Sequence, residues 1–492
     1  MQIKDLSPKE VFNYFSEISA IPRGSGNTAK IADYCMDFAR RNNLSARKDD
    51  MNNVIIFKEG SKGYEQKAPV ILQGHLDMVC EKEPDCDIDM DVKGVSLCSD
   101  GKNIWADGTT LGADDGIAVA YILAILASDT IAHPPIQAVL TSDEEIGMLG
   151  ARELDTKDLT AKMLINIDSE SEGVLYVSCA GGVRAQCEIP VEYTENSQSG
   201  DDLCNDDTEM YEISVSGLIG GHSGAEIHKQ NTNAIRLLAS VLANLHKECD
   251  FRLVDITGGG KENAIPKEAK AVIRVADNNN NKHLLYENIS AYENIIKKDI
   301  IATEPDVRID IHNVNTKYDN CLTAESTKNV IFALQMTPDG LYKMSPEIKG
   351  MVQTSLNLGT AYINDSKLVY RYLIRSNAST GKELLLERVT AFVNYLNGEV
   401  IKMSDYPAWE YNKNSRLKDI CVKCFNNIYE YGPQVTSIHA GLECGILSGK
   451  MPGTDMISFG PTLMDVHTPK ERMDIGSAQR TWEYLLEILK NM

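Results

Sequence analysis

Apolar runs of strand length alternate with longer helix-like stretches through the first 180 residues. "NVIIF", "PVILQG", "IQAVLTS", "MLINID" and "VLYVS" predict strands. Between the second and third, "DDGIAVAYILAILAS" predicts a helix whose first turn carries carboxylates, favourable at the positive end of its dipole. At the start, Ser7, Pro8, Lys9 and Glu10 have the spacing of a capping box that opens a first helix. The alternation predicts an α/β class, a mixed sheet flanked by helices on both faces. The pattern changes at "CAGGVRAQCEIPVEYTENSQSGDDLCNDDTEM", a polar, acidic stretch with little to bury, which puts a domain boundary near 183. The next segment mixes strands such as "YEISVSG" and "AKAVIRVAD" with the helix-like "NTNAIRLLASVLANLHKE" and closes at "KLVYRYLIRSN". The amphipathic "GKELLLERVTAFVNYLN" then predicts a return to the first domain. The expected division is 1–183, an inserted α+β domain over 184–379, and 380–492. Within the insert, "AIPKEAKAVIRVAD" and "AYINDSKLVYRYLIRS" echo each other, leaving duplication and coincidence as open alternatives.

Composition narrows the class of function. A chain of 492 residues with 43% hydrophobic content buries a core large enough for several domains. Its formal charge of -22 disfavours nucleic acid, whose phosphates call for Lys and Arg. The first residues lack a basic segment followed by an apolar run, and the longest apolar run, "IAVAYILAILA", is shorter than the ~20 residues that cross a bilayer. These features predict a cytoplasmic enzyme or binding protein with no membrane partner. The 12 cysteines are scattered and are expected to be reduced. Cys421 and Cys424 in "ICVKCF" predict helix core, because no second Cys or His pair follows at zinc-knuckle spacing.

Chemistry gathers where the apolar strands stop. His75 and Asp77 end "PVILQGHLD"; Glu144 and Glu145 end "IQAVLTSDEE"; Asp168 ends "MLINID"; His467 follows "MISFGPTLMDV"; Asp114 precedes the apolar helix. In open α/β sheets, ligands bind beyond the carboxyl ends of the strands, so these residues are candidates for one site. Imidazoles with carboxylates form a hard N/O set suited to a catalytic metal centre. Two ions sharing a carboxylate fit the inventory: Asp114 as bridge, His75 and Asp168 on one ion, Glu145 and His467 on the other. Asp77, on the same face of an extended segment as His75, is expected to orient the imidazole. Glu144 is left to take a proton from water. Taken singly, each element has a plainer structural explanation, such as a solvated Glu pair or a helix-capping Asp114.

The motifs "GHLDMV", "LGADDG", "TSDEEIGMLGA", "NIDSE", "GGHSG", "HAGLECG" and "GPTLMDVHTPKER" resemble, in order, those of the aminoacyl-histidine dipeptidases. These are also called Xaa-His or cytosol non-specific dipeptidases, two-zinc metallopeptidases with a catalytic and a lid domain. The resemblance implies dipeptide hydrolysis, with manganese or cobalt as substitutes for the two zinc ions, and the same roles for His75, Asp114, Glu145, Asp168, His467, Glu144 and Asp77. It further implies that His222 stabilises the oxyanion and that Asn263 and Arg375 hold the peptide and its carboxylate. His439 and Glu443 are implied only as part of the substrate pocket. Asp115 follows Asp114, so which of the two bridges stays open. Small peptides are the expected substrates, with a homodimer left open; deacylation of N-acyl amino acids, tripeptide cleavage and a silent metal-binding protein are the alternatives.

Overall fold

Burial patterns explain which segments became strands. In the computed structural model, which describes residues 3–194, 203, 208–314, 318 and 320–492, the strands at Val70–His75 and Ile136–Thr141 are buried at every position. Near-continuous apolar runs of this kind belong to strands covered on both faces.

The chain begins with α1 (Lys9–Ser19), α2 (Ala29–Arg41), β1 (Ser45–Lys48), β2 (Val54–Lys58), β3 (Val70–His75) and α3 (Ala113–Ala127). It continues through β4 (Ile136–Thr141), β5 (Met163–Asn166), β6 (Val174–Cys179), β7 (Gly181–Pro190), β8 (Thr208–Ser216), α4 (Ala234–Leu245), β9 (Arg252–Gly259) and β10 (Ala269–Ala276). Then come α5 (Asn279–Ile300), β11 (Arg308–Asn313), α6 (Ala324–Met336), β12 (Val352–Asn364), β13 (Lys367–Ser376), α7 (Ser379–Tyr395) and β14 (Glu399–Tyr406). The last elements are α8 (Arg416–Ile428), β15 (Gln434–Ile438), α9 (Glu443–Lys450), β16 (Asp455–Ser458) and α10 (Ile475–Lys490).

Two units result: Met1–Cys179 with Trp409–Ile438 and Leu442–Met492, and Ala180–Ala408 with His439–Gly441. The chain therefore leaves unit 1 at Cys179 and re-enters it at Trp409, not at 380. The amphipathic stretch expected to return there is α7, which packs on β13 and β7 within unit 2, and β14 after it pairs with β7. Part of the stretch that suggested the first boundary, 195–202 and 204–207, lies outside the described residues.

Unit 1 holds an eight-stranded mixed sheet in the order β1-β2-β4-β3-β5-β16-β6-β15. At its centre β4, β3, β5 and β16 run parallel, so their carboxyl ends share one edge. On one face, Ile71, Val139 and Leu164 pack with Cys444 and Leu447 of α9. Helix α3 packs on β3 and α1 and is apolar nearly all round, as a helix enclosed on all sides must be. Cys421 and Cys424 are buried in α8, as its pattern predicted. The capping box is corrected: α1 starts at Lys9 with Pro8 at the cap position and no side-chain cap bond. Ser7 thus lies one residue too early to reach the first turn.

Unit 2 holds a nine-stranded antiparallel sheet, β11-β8-β10-β9-β12-β13-β7-β14, with a short strand Gly340–Met344 beside β12. Its halves follow one path. In the first, β8-α4-β9-β10-α5-β11 gives the order β11-β8-β10-β9; in the second, β7, then α6-β12-β13-α7-β14, gives β14-β7-β13-β12. The first half is threaded between β7 and α6 of the second. Corresponding strands β9 and β12 pair where the halves meet, and corresponding helices α4 and α6 pack together. The two segments that echo in sequence lie on β10 and β13, which hold matching places. One core joins the halves, with Ile213, Leu238 and Ile273 from one and Leu334, Leu356 and Tyr370 from the other. Among the described residues, no helix is long and apolar enough to cross a membrane.

Candidate active site

The parallel strands of unit 1 deliver their ends to one place. β3 finishes on His75, β4 runs into Glu144 and Glu145, β5 into Asp168, and α3 brings Asp114 and Asp115. His467 rides a loop between the paired strands Leu463–Met464 and Arg472–Asp474, with left-handed backbone at Asp465 and His467. Non-glycine residues in that region carry strain that the surrounding structure must hold.

Asp114 stands between the two imidazoles. Its Oδ1 is 3.0 Å from His75 Nε2, and its Oδ2 is 3.2 Å from His467 Nε2. Glu145 Oε1 lies 3.0 Å from His467 Nε2, and Asp168 Oδ1 lies 3.7 Å from His75 Nε2. Asp115 has a different place. Its Oδ2 accepts the backbone N–H of His75 at 3.1 Å, although it also falls within reach of His75 and Asp168 in one of two candidate metal-holding groups. The other group is His75, Asp114 and Glu145.

The donor set fits a pair of cations. Asp77, Asp114, Asp115, Glu144, Glu145 and Asp168 crowd around two imidazoles, a surplus of buried negative charge. Burial is the chief force raising the carboxyls of Glu144, Asp168 and Asp115 well above the carboxylate range, and neighbouring acids add to it against the pull of His75. Every donor is N or O, as hard dications require.

Asp77 does more than its spacing suggested. Its Oδ1 lies 3.4 Å from His75 Nδ1, and the same carboxylate accepts the N–H groups of Glu144 at 3.0 Å and Glu145 at 3.3 Å. It therefore fixes the ring and the acidic loop together.

The start of α3 differs from expectation. Asp114 and Asp115 have non-helical backbone, joined by a cis peptide. The carboxylate that meets the neighbouring N–H groups is Glu471, which accepts from Leu111, Gly112, Ala113 and Asp114 at 2.8 to 3.4 Å. Nothing in the sequence pointed to it beyond its place in "HTPKER".

Glu443, expected at the substrate, is fully buried. Its Oε2 accepts from Gln73 Nε2 and, at 2.7 Å, from Thr141 Oγ1; Asn166 Nδ2 in turn donates to Gln73 Oε1 at 2.6 Å. Glu443 thus ties together the strands β3, β4 and β5 just before their ligands. Burial pushes its carboxyl up to about 7.

Unit 2 gathers its own polar group. The Nδ1 of His222 accepts N–H from Gly224 at 3.3 Å and Ala225 at 3.0 Å, so the ring proton sits on Nε2. Burial, then Arg375, hold this imidazole below its ordinary value and favour the neutral form. Arg375 donates from Nη1 to Tyr406 Oη at 3.1 Å, while its buried Nε has no partner. His439 is also buried, with Nε2 2.8 Å from Ser355 Oγ and Nδ1 3.1 Å from Asn377 Oδ1. Burial, then Arg375, push it down to about 3, so it is a neutral prop with both nitrogens engaged. Asn263 sits in a loop pinned by Asn357, whose Nδ2 donates to the carbonyls of Glu262 and Ala264, each at 2.8 Å. Glu304, buried and missed in the sequence, anchors the His222 loop by accepting the N–H groups of Ile219 and Thr232, each at 2.8 Å.

A mixed α/β sheet whose parallel strands carry one imidazole and several carboxylates at their carboxyl ends, where a loop adds a second imidazole, defines a metallohydrolase. The chain belongs to peptidase family M20/M25/M40, whose model matches residues 71–491. It is 35% identical over 492 residues to the cytosol non-specific dipeptidase of Escherichia coli (strain K12), covering 100% of this chain and 99% of that protein. The crystal structure of aminoacylhistidine dipeptidase from Vibrio alginolyticus is similar at 34% identity and a TM-score of 0.92, covering 100% of this chain and 98% of that one. A tripeptidase from Staphylococcus aureus, at 17% identity and a TM-score of 0.55 over 99% of this chain and 98% of that one, shares the fold alone.

Proposed function

We propose that the chain is a two-zinc dipeptidase, acting on dipeptides broadly and on Xaa-His substrates of the carnosine type among them. One observation carries this reading: similarity at 35% and 34% identity to two dipeptidases spans the whole chain, while unit 1 brings a hard N/O ligand set to one point. His75 and Asp168 would hold one ion, Glu145 and His467 the other, and Asp114, placed between the imidazoles, would be shared. When bound, such a pair supplies Lewis acidity that polarises the peptide carbonyl and makes water more acidic.

The remaining work falls to side chains. Glu144 takes the proton of the attacking water and returns it to the amine as the C–N bond breaks. Asp77 keeps that base in register with the His75 ring. In unit 2, His222 donates from Nε2–H to the oxygen that gains charge, Arg375 offers its guanidinium to the substrate carboxylate, and Asn263 holds the peptide. His439 acts through its neighbours, since both its ring nitrogens are engaged inside the protein, and Glu443 acts through the strands that its Oε2 ties together.

The test is a substrate panel on protein that has been chelated and resupplied with zinc, manganese or cobalt. Dipeptides should be cleaved ahead of tripeptides and N-acyl amino acids, and the opposite order would move the chain to the alternative class. Glu144→Gln should keep its metal and lose nearly all turnover. Near-normal activity would remove Glu144 as the base.

A further inference from the structure

Arg23, in "IPRGSGN", is among the largest fully buried side chains of the protein, at 2% exposure. Its hydrogen bonds go to backbone carbonyls on two separate segments. Nη1 donates to Leu76 at 3.0 Å and Asp77 at 2.9 Å, directly after His75, and Nη2 donates to Gly112, two residues before Asp114. Burial lowers its pKa, but Glu471, Asp77 and Asp115 oppose that and favour the charged form.

The surrounding chain is shaped to admit this group. A Cβ on Gly112 or on Gly116 would lie 2.6 Å from Arg23 Nη2, so "LGADDG" needs glycine at both places, and Gly112 also has a φ of +69°. The next residues extend the connection. Ser25 Oγ donates to Asp77 Oδ2 at 2.8 Å, and Gly26 N donates to Asp143 Oδ1 at 2.7 Å, beside Glu144 and Glu145. Met78 N donates to Arg23 O, and Ser25 N donates to Met78 O, which locks the segment to the chain beyond β3.

Segment 23–26 therefore touches three stretches that carry ligands, although it contributes none. Across the 111–114 loop, Glu471 takes the N–H groups while Arg23 takes a carbonyl, so the loop is held by both its donors and one of its acceptors. A planar, always-charged fork holds acceptors on two segments through separate nitrogens in a fixed geometry, which the compact point charge of a lysine ammonium does not reproduce.

We propose that segment 23–26 is the positioning element of the metal centre: it fixes the separation of the His75, Asp114 and Glu145 stretches before any ion binds, and thereby sets metal affinity. The proposal rests on the metallopeptidase reading of the same site. Arg23 and Ser25 are positioning residues, acting through backbone carbonyls and Asp77.

The experiment titrates chelated full-length protein with cobalt(II) alone, following stoichiometry and the visible absorption of the bound ion. Circular dichroism and thermal melts of the metal-free protein report folding. Wild type should take up two cobalt ions per chain; failure there sinks the two-metal reading and not the positioning argument. Arg23→Lys and Ser25→Ala should bind cobalt about 10 to 100-fold more weakly, a usual magnitude for groups that orient ligands, with an altered absorption band. The proposal is overturned if both variants fold and bind with wild-type affinity and spectrum. It is equally overturned if the loss of affinity only matches the loss of folded protein. Should Arg23→Lys fail to fold, Ser25→Ala decides, because removing a half-buried hydroxyl leaves the core intact.

Discussion

A single glycine governs the orientation of His222. A Cβ on Gly224 would lie 2.6 Å from His439 O and 3.0 Å from His222 Cε1, and the Gly224 N–H is one of two that hold Nδ1 unprotonated. Gly224→Ala should displace the ring, lowering kcat at least tenfold, toward the ~100 to 1,000-fold loss of a missing oxyanion donor, with metal content unchanged. Wild-type kcat in that variant would show that the ring position does not matter to the reaction. The contrast with unit 1 shows what a sequence displays at this scale. His75, Asp114, Glu145, Asp168 and His467 were legible because metal-ligating residue types stand at the ends of apolar runs. Arg23, Glu304 and Glu471 were not, since they bind backbone groups far away in the chain, and a backbone partner leaves no mark on residue identity.

Charge and hydrogen bonding at element ends come from remote residues in the same way. Helix α3 has its first N–H groups met by Glu471, while Lys58 Nζ donates to the carbonyls of Ile125, Leu126 and Ser128 at its other end. The helix itself was plain from its apolar run, but its caps were not. In unit 2, the β12·β13 ladder is irregular between Leu358 and Thr360, and the Leu358 N–H donates to Asp339 Oδ1 at 2.7 Å. Burial pushes the Asp339 carboxyl from 3.8 up to about 6. An acid whose pKa is raised by folding binds its proton more tightly in the native state, so its contribution is full below pH 3.8 and is lost as pH rises to about 6. That loss is on the order of 2 to 3 kcal/mol at about 1.4 kcal/mol per unit. Asp339→Asn keeps an acceptor for Leu358 and removes the titration. Urea unfolding should show the two proteins diverging across this window, with the variant gaining relative to wild type; parallel curves would contradict the assignment.

Over the whole molecule, long-range pairing is what the sequence concealed. α7 and β14 read as a return to the first domain, and only the pairing of Glu399 with Glu188 and its neighbours places β14 in the sheet of unit 2. The matching halves of that sheet left only a faint echo, because a fold can repeat through patterning while most residues change. Unit 1 alone supplies every candidate metal ligand, and its surplus of buried carboxylates is repulsive until cations compensate it. Metal removal should therefore weaken unit 1 selectively. A ligand at a hundredfold excess over its Kd stabilises the native state by about 2.7 kcal/mol, so chelation should speed hydrogen exchange in β3, β4 and β5 by about a hundredfold where exchange requires opening of that sheet. Exchange in β8, β10 and β13 of unit 2 should stay near its starting rate. Equal acceleration in both units would mean that the ions are not held by unit 1 alone, and the five-ligand assignment would have to be redrawn.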